Sequence, residues 1–223
     1  GETIGEQDCS HGRDALAAAG QLTKIGGGMA GFDFTKLDSN GNVLTDQTQD
    51  YATQPWACVK DNHTGLIWEV KTPDTMGTNL HSMDDRFNWY NTNTNTNGGA
   101  NGFADDDGAI CTSYDGADAS TYCNTQAFVA RVNASNGGQG LCGATDWRLP
   151  DLNTLQSITH LGKIKPAIDE NYFPNTQGGN FHWSSSPHAD VSGGAWGVGF
   201  YDGGGLNNNR NDNYRVRLVR SGQ

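Results

Sequence analysis

The clearest signal in the chain is the alternation of apolar and polar residues near the C-terminus, which predicts late β-strands. Three segments show it, at residues 181–185, 195–201 and 214–219. In the second, Trp196, Val198 and Phe200 share a face, and in the third Val216 and Leu218 do so. Because successive side chains point to opposite faces of a strand, these segments present an apolar face to a core.

Two segments with helical periodicity precede these strands. Residues 125–133 place Phe128, Val129 and Val132 on one face. The second helix has Asp151 as its predicted N-cap. Its apolar residues recur at three-residue steps, at Leu152, Leu155, Ile158 and Leu161. Two helices with short antiparallel strands and many ordered loops predict an α+β domain.

The N-terminal quarter of the chain has a weaker pattern. Residues 1–57 are predicted to form an arm that packs on a main domain spanning residues 58–223. In the arm, Asp14 is the expected N-cap of a short helix over residues 15–22. Alternation over residues 32–37 predicts a strand.

Turn residues divide the rest of the first half into short elements. Residues 38–42 turn the chain, so that Val43 and Leu44 can return as the second strand of a hairpin. Residues 66–70 predict a buried strand. Residues 91–108 are nearly all Asn, Thr, Gly and Asp, and we expect them to form a long surface loop because they can bury little.

Composition and charge limit the partners. The chain has 31 glycines, which suit ordered turns because glycine tolerates positive φ. Its net charge is −11, from 14 basic and 25 acidic residues. An acidic field disfavours nucleic acid and anionic glycans as ligands. No apolar run approaches the ~18 residues of a transmembrane helix, so we expect no membrane insertion.

The five cysteines are predicted to form disulfides rather than a zinc site, because none belongs to a CxxC pair or a Cys/His cluster. They are Cys9, Cys58, Cys111, Cys123 and Cys142. A Cys111–Cys123 bond would close a short loop, and a Cys9–Cys58 bond would pin the N-terminal arm. Cys142 is then free, and a Cys123–Cys142 bond is the competing arrangement.

Five short motifs occur in an order that resembles the Lcl C-terminal domain family. They are Thr64-Gly65-Leu66-Ile67-Trp68-Glu69, Trp147-Arg148-Leu149-Pro150, Trp183-Ser184-Ser185-Ser186, Trp196-Gly197-Val198 and Val216-Arg217-Leu218-Val219-Arg220. The resemblance, over residues 56–220, implies the C-type-lectin and formylglycine-generating-enzyme-like fold. It also implies a secreted or cell-surface domain of bacterial, archaeal or phage origin. The founding adhesin domain is associated with sulfated glycosaminoglycans, a ligand class that the few basic residues here do not favour.

A narrower resemblance concerns residues 203–213, which are rich in Asn. Some relatives with this fold are variable proteins of diversity-generating retroelements, which mutate Asn-type codons in a C-terminal window. His188, Asp190, Val191, Tyr201 and Asp202 suit the same explanation. The alternative is a polar turn between two strands that needs no diversification.

On either account, the predicted ligand site is the surface made by residues 186–194 and 201–214. The candidate binding residues are His188, Asp190, Tyr201, Asp202, Leu206, Asn207, Asn208, Asn209, Arg210, Asn211, Asp212 and Tyr214. Tyr201 is the favoured stacking residue, and Arg210 is the cation expected to pair with an acidic group. The expected partner is a surface protein or a glycan.

No cofactor is required by this interpretation, although calcium is an alternative. The best hard-cation candidates are Asp105, Asp106 and Asp107, since adjacent carboxylates repel one another until a cation binds. Asp38 and Asn42 fit an EF-hand spacing in part, but a turn explains them.

The sequence favours a binding module over an enzyme. The last cysteine is Cys142, so the final 81 residues contain none, and the paired thiols that the formylglycine-generating branch uses there are missing. Neither an HExxH nor a Gly-x-Ser-x-Gly motif occurs, and Ser184-Ser185-Ser186 is expected to end a strand. The alternatives are a structural cap or homo-oligomerising module of a surface fibre or phage tail and, third, a hydrolase.

Overall fold

The fold combines short helices with two small antiparallel sheets. This computed structural model describes residues 12–105, 109–179 and 181–222. Its helices are α1 (Arg13–Ala18), α2 (Thr125–Gly138) and α3 (Leu152–Gln156), with a 3₁₀ turn at Ala119–Thr121. Its strands are β1 (Phe34–Leu37), β2 (Cys58–Asp61), β3 (Leu66–Glu69), β4 (Phe181–Pro187), β5 (Gly194–Gly199), β6 (Gly205–Asn209) and β7 (Val219–Ser221). The α+β class is confirmed, and the C-type-lectin-like assignment stays a prediction.

The strands form two separate sheets. The first has the order β1-β2-β3-β7, and the second has the order β4-β5-β6. Residues 214–218, predicted as a strand, run between the sheets and pair through isolated bridges rather than a regular ladder. The Trp183 N–H donates to the Arg215 carbonyl at 2.9 Å, and the Glu69 N–H donates to the Leu218 carbonyl at 3.0 Å. This segment therefore joins the two sheets.

The apolar side chains collect in two clusters. The first centres on the fully buried rings of Trp89, Phe128, Trp147 and Trp183. The second contains Phe34, Trp56, Trp68, Phe173 and Phe200. Aromatic rings bury large apolar areas, so they compensate for a composition that is only 35% hydrophobic.

The N-terminal segment is built into the first sheet. Strand β1 forms its edge and pairs antiparallel with β2, with Phe34 opposite Asp61. The expected return of Val43 and Leu44 is present as a short bridge, in which the Leu44 N–H donates to the Lys36 carbonyl at 3.1 Å.

Helix α1 is shorter than the predicted helix at residues 15–22 and is not capped by Asp14. Gly12 occupies the N-cap position, and Asp14 lies in the first turn. The Asp14 carboxylate accepts a hydrogen bond from the Gly31 N–H at 2.6 Å. Asp14 does not cap the helix because its carboxylate binds this distant N–H group instead of an N–H group of the first turn.

The two predicted helices of the main domain are present, but the second ends early. The side chain of Asn124 caps α2, and that of Asp151 caps α3 as expected. Helix α3 stops at Gln156, where the Ser157 hydroxyl bonds back to the Thr154 carbonyl at 2.7 Å. Leu161 therefore lies outside the helix and is 80% exposed, contrary to its predicted place on the apolar face.

The disulfides differ in part from those expected. Cys111 bonds Cys123 as predicted, but Cys58 bonds Cys142. The expected Cys9–Cys58 pair is therefore wrong, Cys142 is not free, and Cys9 lies outside the described residues. The Cys58–Cys142 bond spans 84 positions, so the fold rather than local spacing brings its two cysteines together.

The polar run at residues 203–213 contains a strand rather than one continuous loop. Residues Gly205–Asn209 form β6, which pairs with β5 in a regular antiparallel register. Asn has a low β propensity, yet pairing with a well-formed neighbouring strand overrides it. Among the described residues, no helix is long and apolar enough to span a bilayer.

Candidate functional site

The β5–β6 hairpin separates the predicted binding residues into two groups. Gly194 pairs with Asn209 at one end of the hairpin, and Val198 pairs with Gly205 at the other. Four residue steps along an antiparallel strand span about 13 Å. His188, Asp190, Asn211 and Asp212 belong to the first end by chain position. Tyr201 and Asp202 form the connecting turn at the second, so the predicted residues do not make one patch.

Strand β6 directs alternate side chains to opposite faces of the sheet. Asn207 lies directly opposite Trp196, and residues that pair directly have side chains on the same face. Asn209 shares that face, whereas Leu206 and Asn208 point to the other. The asparagine run is therefore two sets of side chains with different surroundings.

A stacked ring pair lies on the Asn207 face. The His188 and Trp196 rings are 5.0 Å apart between centroids and inclined by 27°. Both are half-buried, whereas Asn207 and Asn209 are exposed. We define the Trp196 surface as His188, Trp196, Asn207 and Asn209.

The amides of this surface are free to contact a ligand. Among the described residues, no hydrogen bond involves the side chain of Asn207 or Asn209. Asn208, on the other face, accepts a hydrogen bond from the Tyr214 hydroxyl at 3.2 Å. An amide offers two donors and an acceptor, so two free amides beside a ring pair can read a polar ligand.

Arg210, predicted to pair with a ligand, is instead part of the scaffold. It is only 1% exposed, and its guanidinium lies 4.2 Å from the centroid of the Trp89 ring. Its Nε donates to the Gly194 carbonyl at 2.9 Å, and its Nη1 donates to the Ala100 carbonyl. Burial lowers the pKa of Arg210. The sequence suggested exposure because the neighbouring residues are polar.

Tyr214 is also committed to packing. Its ring lies 5.0 Å from that of Trp183 and 5.5 Å from that of Phe181. Burial, with the nearby Asp212 carboxylate, raises the pKa of Tyr214. Its hydroxyl holds Asn208 in place, so its contribution to binding would act through the shape of β6.

The turn of the hairpin forms a second exposed patch. Tyr201 is 46% exposed, and the Lys165 ammonium lies 4.8 Å from its ring centroid. Leu161 and Ile164, 80% and 66% exposed, belong to the adjoining loop, which the Lys165 N–H ties to the Tyr201 carbonyl at 2.9 Å. Residues 161–164 were not among the predicted site residues, because Leu161 was assigned to a helix.

Of the three candidate cation residues, the structure describes only Asp105. The Asp105 carboxylate accepts a hydrogen bond from the Tyr114 hydroxyl at 2.9 Å. Asp106 and Asp107 lie outside the described residues, and the part of the chain that is described contains no group of three potential metal ligands. The Asp38 carboxylate accepts hydrogen bonds from the backbone N–H groups of Asn40 and Asn42, as expected for a turn.

Many residues of the motifs that carry the family resemblance are buried. The buried Glu69 carboxylate accepts hydrogen bonds from Lys71 and His81, each at 2.8 Å, and from the Leu218 N–H at 2.9 Å. Burial alone would raise the pKa of Glu69, but the Lys71 and His81 contacts outweigh it and bring the pKa to about 2. Arg217 donates to the Glu69 carbonyl, and its burial lowers its pKa to about 10.

Two tryptophans of the other motifs are anchored by hydrogen bonds to backbone carbonyls. The Trp147 Nε1 donates to the Leu141 carbonyl at 2.8 Å, and the Trp183 Nε1 donates to the Phe87 carbonyl at 2.8 Å. The Ser184 hydroxyl donates to the Trp196 carbonyl at 2.8 Å, which fixes β4 to β5 and gives this serine a structural role. The motif residues thus define the scaffold that carries the exposed loops.

Comparison with known proteins agrees with this scaffold. The family model of the Lcl C-terminal domain matches residues 57–220, from just before β2 to the middle of β7. Neither a curated protein nor a solved structure is significantly similar to the chain. The matched region includes the buried Glu69–Arg217 network and both disulfides. The chain belongs to the Lcl C-terminal domain family, and is therefore an adhesin-related module.

Proposed function

We propose that the chain is an exported recognition module that binds a surface protein or a glycan through the Trp196 surface. One observation carries this proposal: two amides without hydrogen-bond partners among the described residues flank a stacked His188–Trp196 pair. The rings supply a rigid contact area, and the amides supply directional hydrogen bonds. Recognition surfaces combine these two kinds of group.

The scaffold supports a preorganised site. Strand β5 lies between two hydrogen-bonded neighbours, and the buried Arg210 ties the start of β5 to the loop at Ala100. A surface held in this way loses little conformational entropy when it binds. The two disulfides are typical of an oxidising compartment, which supports export.

The direct experiment screens the purified chain on an array of glycans and surface proteins. The test variant replaces Asn207 and Asn209 with Ala, and the control is Asn208→Ala, on the opposite face of the same strand. We expect the double variant to lose at least ~10-fold in affinity, the equivalent of ~1.4 kcal/mol, and to keep its melting temperature. If the double variant and Asn208→Ala bind the ligand with equal affinity, the Trp196 surface is not the binding site.

Calcium dependence is tested in the same screen. Binding by this surface uses amides and rings and should persist in EDTA. A requirement for calcium would direct attention to Asp105 and its neighbours. The hypothesis of retroelement diversification is separate, and a near-copy of the coding segment for residues 203–213 beside a reverse transcriptase gene would support it.

A second candidate function is a structural cap that associates with a second copy of the chain. The exposed Leu161, Ile164 and Tyr201 favour it, because clustered apolar side chains often mark protein contacts. Light scattering across a concentration series tests it. An oligomer that Ile164→Ser converts to monomer would support the cap, and a monomer at every concentration would contradict it.

A further inference from the structure

A cavity of about 410 Å³ opens between the N-terminal segment and residues 170–174. It shares no lining residue with the Trp196 surface, and its volume lies within the ~300–1,000 Å³ range of small-molecule sites. One wall comes from the segment around Lys36, Tyr51 and Trp56, and the other from Glu170 and Tyr172. The cavity therefore needs both the N-terminal segment and the family domain.

Aromatic rings shape the cavity. The Tyr51 and Trp56 rings are 5.0 Å apart between centroids and nearly perpendicular, at 77°. The Trp56 Nε1 donates to the Tyr172 carbonyl at 2.9 Å, which holds the two walls together. Flat rings in a fixed arrangement suit the C–H faces of a compact ligand.

The most unusual lining group is the ammonium of Lys36. Lys36 is only 4% exposed, and its Nζ lies 4.1 Å from the centroid of the Trp56 ring. An ammonium has three donors, and the only hydrogen bond it makes within the described residues is to the Gln49 carbonyl, at 2.7 Å. Among the described residues, no Asp or Glu carboxylate lies within ion-pair distance of the Lys36 ammonium. The ammonium also faces the Trp56 and Tyr172 rings, and it has donor capacity left for an acceptor in the cavity that Lys36 lines.

The charges around Lys36 decide which acceptor fits. Asp50 and Glu170 line the cavity, and Asp46 and Asp169 act on the Lys36 charge from nearby. Together with the net charge of −11, these carboxylates repel an anionic ligand. They accept hydrogen bonds from hydroxyl groups, whereas Lys36 donates to hydroxyl oxygens. A neutral polyhydroxyl compound satisfies both sets of groups.

We infer that this cavity binds a neutral mono- or disaccharide, with a sugar hydroxyl oxygen accepting from Lys36 and the sugar ring packed against the half-buried Tyr51. This site is additional to the recognition surface proposed above. It is remote in sequence from the C-terminal loops, because every residue that carries it lies within residues 36–56 or 170–172.

Isothermal titration and ligand-observed NMR of the full chain test the inference. The probes are glucose, galactose, mannose, N-acetylglucosamine and their common disaccharides, beside glucuronic acid and glucose 6-sulfate as anionic counterparts. We expect at least one neutral sugar to bind with a Kd below ~1 mM, and the anionic sugars to bind at least ~10-fold more weakly.

Variants assign the binding to the cavity. Lys36→Met keeps the length of the side chain but removes its donors, and Lys60→Met on β2 is the matched control outside the cavity. We expect the first to weaken binding at least ~10-fold and the second to leave it unchanged. The Asn207/Asn209 double variant should also retain this binding, which separates the cavity from the Trp196 surface.

A second variant guards against misfolding of Lys36→Met. Asp50→Asn keeps a side chain able to cap the Thr53 N–H but loses the carboxylate, so the fold is retained. We expect Asp50→Asn to bind neutral sugars about threefold or more weakly. The difference in affinity between neutral and anionic sugars should also become smaller. The inference is overturned if no neutral sugar binds, if anionic sugars bind equally well, or if Asp50→Asn leaves binding unchanged.

Discussion

The guanidinium of Arg210 lies over the indole of Trp89, with 4.2 Å between its central carbon and the ring centroid. Trp89 in turn donates from its Nε1 to the Ser184 carbonyl at 2.9 Å. The pair thus links the end of β6 to β4 through the interior. A cation in a run of exposed asparagines is a structural anchor, and the free amides beside it remain available for binding.

We expect Arg210→Ala to lower the free energy of unfolding by about 2–4 kcal/mol, because it removes the ring contact and the hydrogen bonds to the Gly194 and Ala100 carbonyls. Urea denaturation followed by circular dichroism measures this change. Arg220→Lys is the control, since it keeps the charge and the Asp146 partner is 52% exposed, so the change should cost less than about 1 kcal/mol. If Arg210→Ala keeps its stability but binds the ligand more weakly, Arg210 contacts the ligand directly and its structural role is contradicted.

We expect loss of the Cys58–Cys142 bond to be more harmful than loss of the Cys111–Cys123 bond. The first closes a loop of 84 positions and the second one of 12, and the unfolded chain gains more entropy from the longer loop. Replacing both members of the first pair with Ala should cost about 2–5 kcal/mol. Thermal unfolding of the two double variants compares them, and an equal loss would argue against the loop-length explanation.

The Glu69 network predicts a loss of stability in acid. The pKa of Glu69 is about 2 in the folded chain, below its usual value of 4.5. The unfolded state therefore binds a proton more readily than the folded state. The stabilisation is complete above about pH 5 and is lost as the pH falls towards 2, to a total of about 3 kcal/mol.

Denaturation curves at a series of pH values check this dependence. Glu69→Gln should reduce stability at neutral pH, because Lys71 and Arg217 lose their buried counter-charge, and should flatten the acid dependence. Glu170→Gln is the control, since the Lys163–Glu170 pair is half-exposed. An unchanged acid slope in Glu69→Gln would mean that other carboxylates govern acid unfolding.

Two leucines with the same predicted role should respond differently to substitution. Leu155 is 0% exposed, whereas Leu161 is 80% exposed. Leu155→Ala is expected to cost about 2–5 kcal/mol, and Leu161→Ala less than about 0.5 kcal/mol. Equal losses in chemical denaturation would mean that α3 continues to residue 161.

Local patterns predicted those features that depend on neighbours in the chain. The α2 and α3 segments, the Asp151 cap and the burial of Val216 and Leu218 follow from periodicity and capping chemistry. The Cys111–Cys123 bond also follows from a short spacing.

Features that depend on residues far apart in the chain could not be predicted from the sequence. Cys142 and Cys58 meet within the first core cluster although they are 84 positions apart, and Asp14 finds its donor at Gly31. The same limit applies to the candidate site. Alternation would place Asn207 and Asn208 on opposite faces of a strand, but only the pairing of β6 with β5 shows that these residues form one. The cavity beside Lys36 is likewise completed by residues 170–174, far along the chain.

The alternation of β6 has a consequence for how the chain can change. Positions 207 and 209 face outward, whereas position 208 contacts Tyr214 and position 210 holds Trp89. Every second position along this strand should therefore tolerate substitution. A library randomised at every position would lose many members to misfolding, and one randomised only at odd positions would keep the scaffold and sample new specificities.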